Sequence, residues 1–240
     1  MNYKFLAGCY VLGIIALFFY SFTQVDLSLT LSKASWIQDF QKVFQYIGYF
    51  NRPLSTYLFI GIVIFLFASY FLIIKNIERF SKKQIWSLIM VSAVVLGISY
   101  NAFSYDLFNY IFDAKIFTHY GQNPYEYKAL DFAAVQEPML SFMRWTHRTY
   151  PYGPVWLGIT IPISYLGMNY FLVTFFLFKT LMVSAFIATV WLIKKIVSDT
   201  KTTDELQAIA LFALNPFVLI ESVVSAHVDI VMIFLSSSSV

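Results

Sequence analysis

Charged residues are scarce in this 240-residue chain, at 12% of the total, against roughly a quarter in an ordinary soluble domain. There is a single cysteine, Cys9, and it lies inside the first apolar run. An internal disulfide framework and a cysteine metal cluster are therefore excluded. The net charge of +3 is spread over short loops with no basic block, so nothing offers a nucleic acid an electrostatic footprint and no nucleic-acid partner is expected. No nucleotide-binding glycine loop appears. No internal repeat is visible, and apart from the terminal serines there is no low-complexity stretch. The first apolar run is not followed by a small-x-small cleavage site, so it reads as an uncleaved span.

What is present is apolar: 59% of residues are hydrophobic and 20% aromatic. That composition predicts an all-α, polytopic transmembrane bundle. Runs of the length a crossing helix needs fall near 5–22, 54–74, 85–103, 170–193 and 206–220. Another begins near Val228 and stops at residue 240, short of a full crossing, so the chain reads as the N-terminal part of a larger bundle. Trp156 to Leu166 is apolar but short, follows Pro151 and Pro154 and contains Pro162. It is expected to enter the membrane without crossing it.

Basic residues set the expected orientation. Lys4, the cluster Lys75, Arg79, Lys82 and Lys83, and the cluster Lys194, Lys195 and Lys201 belong on one side if the short proline-flanked helix does not cross. By the positive-inside rule that side is cytoplasmic, in the plasma membrane. Segments 23–53 and 104–154 then lie outside. In the first, Trp36, Ile37, Phe40, Phe44 and Ile47 recur at helical spacing, the pattern of an interfacial helix that anchors the loop.

The second outer segment opens SYDLFNYIFD. As a helix it places Asp106, Asn109 and Asp113 on one face, with Leu107, Phe108, Ile111 and Phe112 largely toward the bilayer. A surface helix with solvated acids fits the same spacing. Tyr150-Pro151-Tyr152-Gly153-Pro154 is a rigid re-entry that presents tyrosine hydroxyls at a fixed depth, or simply begins a helix. Asn215-Pro216 breaks a later span near its outer end, where Glu221, His227 and Asp229 gather close to hydrocarbon. Lys179, among Phe175, Phe176, Phe178 and Leu181 in mid-span, calls for an anionic partner or a cavity, or else snorkels.

The strings SYDLFNY, GQNPY, YPYGP and NPFVLIESVVSAHVD, in that order, resemble the polyprenol-phosphomannose-dependent mannosyltransferases of the GT-C superfamily. The resemblance covers Ser104 to Asp229 and extends to the first hundred residues only through topology. It implies a membrane glycosyltransferase with a catalytic outer-loop aspartate and a lipid-phosphate sugar donor. The loop aspartate falls on Asp106 and its companion tyrosine on Tyr110, and the Gly-x-Asn-Pro-Tyr turn on Gly121, Asn123, Pro124 and Tyr125. The family's intramembrane basic residue, often arginine, falls on Lys179. The His-Asn-Asp string of many relatives reads His227-Val228-Asp229 here, without the central amide.

The chemistry fits those residue types. Asp106 is the candidate general base for an acceptor hydroxyl. Lys179, Arg148 and His227 are the groups able to stabilise a departing polyprenyl phosphate. Tyr110, Asp113, Asn123, Tyr125, Tyr152, Glu221 and Asp229 complete the expected binding residues. The expected partners are a lipid-linked sugar donor, a glycan acceptor and the membrane. The residues single out no cofactor, and a divalent cation bridging Asp106 and the donor phosphate is left open, since magnesium needs only one or two carboxylates beside phosphate. A lipid-linked-sugar transporter, with Lys179 and the break at Pro216 lining its path, and a non-catalytic membrane scaffold are the competing readings.

Overall fold

In a computed structural model, residues 2–200 and 204–238 are described. Lys201 falls outside them. The described residues are helical, with no strand among them.

Three helices are long and apolar enough to cross a membrane: α1 (Tyr3–Ser21, continued by a 3-10 turn to Gln24), α3 (Arg52–Lys75) and α7 (Phe171–Thr200). Between the first two lies α2 (Ser35–Gln45), tied to the loop before it by buried glutamines and to the end of α1 and the 3-10 turn that follows α1 by Phe40 and Phe44, which meet the rings of Phe19 and Phe22. The Gln41 side-chain amide donates to Leu29 O at 2.5 Å, and that of Gln45 donates to Val25 O and Asp26 O at 3.2 and 3.0 Å. Trp36, on the opposite face, is left 72% exposed.

The expected span at 85–103 is shorter than its apolar run. Helix α4 (Lys82–Gly97) has 16 residues, about 24 Å at 1.5 Å per residue. Ser81 and Gln84 fix its start through a reciprocal capping box. Beyond Gly97 the backbone turns, and Phe103 adopts φ 71°.

Helix α5 (Asp106–Thr118) and helix α6 (Pro154–Leu166, 13 residues) run side by side in the same direction. Tyr110 meets Trp156 near one end, and Thr118 Oγ1 lies 2.8 Å from Ser164 Oγ near the other. Leu107, Phe108, Ile111 and Phe112 are at most 3% exposed. They do not face the bilayer as the spacing predicts, because α6, α7 and the 3-10 turns at Ala129–Val135 cover them.

The last span is broken. Helix α8 (Glu205–Ala213) bends by 52° into α9 (Pro216–Leu219) and a π-helical turn (Ile220–Val224), ahead of α10 (Asp229–Ser237). Proline has no N–H to continue the ladder. Asn215 N–H donates to Phe212 O, and the carbonyls left over are taken by tyrosines from other helices: Tyr70 donates to Leu211 O at 3.0 Å and Tyr10 to Leu214 O at 2.8 Å. Such outside donors are what make a broken helix tolerable in hydrocarbon.

Contacts sort the two ends of the bundle. At one end Lys82 pairs with Glu205 at 3.4 Å, joining the start of α4 to the start of α8. At the other, Ser28 Oγ donates to Ser141 O at 2.9 Å, and Arg144 lies over the Tyr105 ring and 3.9 Å from Asp26. The segments 23–53 and 104–154 therefore pack together, at the end away from Lys82 and Lys83.

Candidate active site

Asp106 opens α5, its N–H donating to Ser104 Oγ at 3.1 Å. A carboxylate in the first helical turn is favoured by the helix dipole. Its neighbour in space comes from the far end of the sequence: His227 Nε2 is 3.9 Å from Asp106 Oδ2. Glu221 Oε2 holds the other ring nitrogen, Nδ1, at 2.6 Å. An ionised carboxylate only accepts hydrogen bonds, so Nδ1 carries the proton and Nε2 faces Asp106. The local backbone enforces this. The His227 N–H donates to Glu221 O at 3.1 Å, and Ala226, between the π-turn and the histidine, adopts φ 54°.

One helical turn on from Asp106, Tyr110 is buried with its ring edge-on to those of Tyr152 and Trp156, each 5.2 Å away. Burial, with the Tyr152 hydroxyl and Asp106 beside it, keeps the Tyr110 phenol protonated far above the usual range. Tyr152 is raised for the same first reason, burial. Next to them the Asn109 Oδ1 and Trp156 Nε1 atoms are buried without a protein partner. Unpaired polar atoms of this kind cost free energy and concentrate at functional sites.

Asp113 faces a small pocket that it shares with Asn109, Arg148 and Tyr152. Burial raises its carboxyl to about 7, against the pull of the Arg148 charge. Arg148 itself lies over the Trp145 ring, 4.7 Å from its centroid.

The Gly-x-Asn-Pro-Tyr turn supports the site from outside. Gly121 has φ 65°, a conformation that costs glycine little. Asn123 Oδ1 accepts from Tyr125 N at 3.1 Å, and its amide donates to Glu126 at 2.8 Å. The turn is then fastened to the tyrosine-proline segment: Tyr150 N–H donates to Pro124 O at 2.9 Å and the Tyr125 hydroxyl to Tyr152 O at 3.1 Å. Asn123 and Tyr125 thus fix the backbone that carries Tyr152.

Lys179 differs from expectation. It is 1% exposed, and its ammonium donates to Val223 O and, at 3.2 Å, to Val224 O. The partner within the membrane is the carbonyl end of the π-turn, rather than an anion. The π-turn leaves its last carbonyls open to an outside donor, a feature that spacing in the sequence does not show. Asp229, at the start of α10, lines a cavity of about 380 Å³ with Glu221, His227 and Phe217. The fold therefore gathers Asp106, Tyr110, Tyr152, Glu221, His227 and Asp229 at one end of the bundle, with Asp113 one turn beyond Tyr110 on α5 and Arg148, from the segment before α6, beside it. Among the described residues no group of three His, Cys, Asp or Glu side chains is placed to hold a metal ion.

Residues 10–240 match the family model described as alpha-(1->6)-mannopyranosyltransferase, N-terminal domain. The chain belongs to that family. No curated protein and no solved structure matches it. This membrane domain of the mannosyltransferase family carries its acidic and histidine cluster on the first turn of α5 and the turn before α10.

Proposed function

We propose that the protein transfers a mannosyl group from a polyprenyl-phosphate-linked mannose to a glycan or lipid-linked acceptor, forming an α-(1→6) bond at the extracytoplasmic face, on a GT-C-type scaffold. The observation that carries this reading is the placement of Asp106 opposite His227, at the bundle end away from the basic loops, in a chain of the mannosyltransferase family. The positive-inside rule makes that end extracytoplasmic.

In this reaction the acceptor hydroxyl attacks the anomeric carbon through an oxocarbenium-like state, and the bond from that carbon to the phosphate oxygen breaks. Asp106 takes the hydroxyl proton as the new bond forms. The phosphate leaves with increased negative charge, which Arg148, held over Trp145, stabilises, joined by His227 when its Nε2 is protonated as well and the ring is a cation held by Glu221. Tyr110 and Tyr152, held protonated, donate hydrogen bonds to sugar or phosphate oxygens.

Membranes containing the full-length protein, given radiolabelled polyprenyl-phosphate mannose, its glucose counterpart or a nucleotide-linked mannose, test the proposal. Label is expected to pass to glycan from the lipid-linked mannose alone. Transfer from the nucleotide sugar in washed membranes free of lipid-linked mannose would overturn the donor assignment.

A further inference from the structure

A second cavity, of about 750 Å³, lies on the other side of α5. At 3.6 residues per turn, Ile111, Lys115 and Thr118, which line it, point away from Asp106, Tyr110 and Asp113. None of the residues gathered around His227 lines it. It sits at the same end of the bundle as the candidate active site, where Thr118 meets Ser164 and α7 begins.

The floor of this cavity is built of charge already in balance. Lys115 Nζ pairs with Glu137 Oε2 at 2.8 Å, and the Tyr120 hydroxyl donates to the same oxygen at 2.5 Å. Burial opposes the Glu137 charge, but these two bonds outweigh it and hold the carboxyl below its usual range. A buried pair with no surplus positive charge does not favour a phosphate, which gains most from unmatched cations. A neutral polyhydroxyl ligand suits it better, because hydroxyls can both donate and accept. The lysine has further N–H groups to give, and Thr118, Ser164, His119 and Asn169 add groups of both kinds. The rim, at Tyr165 and Met168, is aromatic and apolar and well exposed, as the flat faces of sugar rings require.

We propose that this cavity is a subsite for the distal sugar units of a neutral oligomannose acceptor, whose reacting end is at Asp106. The inference rests on the mannosyl-transfer reading above. Asp106 and Lys115 are nine residues apart on one helix, about 14 Å along its axis. The two positions are also on opposite faces of the helix, so a chain that reaches both must pass around α5, which takes several sugar units and is beyond a disaccharide.

Binding of α-(1→6)-linked mannohexaose and mannobiose to the detergent-solubilised full-length protein, with no donor present, tests the subsite separately from catalysis. His119→Ala and Tyr165→Ala alter the exposed rim and leave the buried ion pair intact. The hexaose is expected to bind the wild type more tightly than the biose, and each variant to weaken hexaose binding at least about fivefold while sparing the biose. Equal loss for both sugars, or loss for neither, would overturn the proposal. So would variants that change binding of phospholipid headgroups in nanodiscs but leave the hexaose untouched. Length-dependent binding that the variants abolish, in a protein that transfers no mannose from the lipid donor, would sink the proposed reaction and leave the subsite standing.

Discussion

Glu221 Oε2 lies 2.6 Å from His227 Nδ1, and this one contact turns the remaining nitrogen of the ring toward Asp106, 3.9 Å away. The gap from Nε2 to Asp106 Oδ2 is wider than a hydrogen bond. Asp106 is therefore not tied up by its neighbour, and its carboxylate is free to take a proton.

Asp106→Asn keeps the shape of the side chain and removes the proton acceptor. Mannosyl transfer is expected to fall about 100-fold or more, the usual cost of losing a general base, with membrane insertion and donor binding retained. A variant keeping more than about a tenth of the wild-type rate would show that another group accepts the proton.

Glu221 acts through His227, so Glu221→Gln is expected to lower kcat roughly 10- to 100-fold with little change in the KM for donor. That range corresponds to a charge-assisted hydrogen bond of about 1.5–3 kcal/mol. A merely structural role would instead reduce the amount of folded protein and leave the turnover of the surviving molecules unchanged.

Much of this arrangement is legible in the residues alone, and the limits are physical. The apolar run at 54–74 falls within α3, and those at 5–22 and 170–193 overrun α1 and α7 by a single residue each, because a span of hydrocarbon length leaves the backbone little choice but a helix. The tie between Asp106 and His227 joins positions 121 apart and follows only from how α5 and the turn before α10 pack. The burial of Leu107, Phe108, Ile111 and Phe112 was likewise hidden, since a helix with two apolar faces reads the same beside lipid as inside protein. The cavity at Lys115 left no local signal. Its carboxylate comes from Glu137, in a loop of irregular spacing.

Lys179→Met gives a different expectation once the lysine's partners are known. The Val223 and Val224 carbonyls lose their donor, so thermal stability in detergent is expected to fall by about 1–3 kcal/mol. Activity is expected to fall with it, because the same π-turn positions Glu221. Lys179→Arg should not restore either, since the larger planar head has no room at a 1% exposed position. A stable Met variant with a raised donor KM would show instead that the ammonium serves the donor phosphate.

Membrane orientation can be read directly. Cysteines placed at Gln122 and at Lys82 are expected to react with an impermeant maleimide from opposite sides, Gln122 from outside, in a Cys9→Ser background. Labelling of both from one side would place the acidic cluster and the basic loops on the same face and remove the extracytoplasmic assignment.

Asp113 makes stability depend on pH. Burial raises its carboxyl from 3.8 to about 7, so the folded state holds a proton that the unfolded chain releases. The resulting stabilisation is complete below pH 3.8 and is lost as pH rises through about 7. At pH 8 a buried carboxylate must be carried with only the Arg148 charge to offset it. Asp113→Asn cannot ionise and keeps the geometry, so its advantage in thermal midpoint over wild type is expected to be already present but smaller at pH 5 and to grow as pH rises to 8. The difference is bounded near 4 kcal/mol by the distance between the two pKa values at about 1.4 kcal/mol per pH unit. Parallel midpoints for the two proteins across pH 5 to 8, measured in the same detergent, would show that Asp113 stays ionised throughout and that Arg148 neutralises it fully.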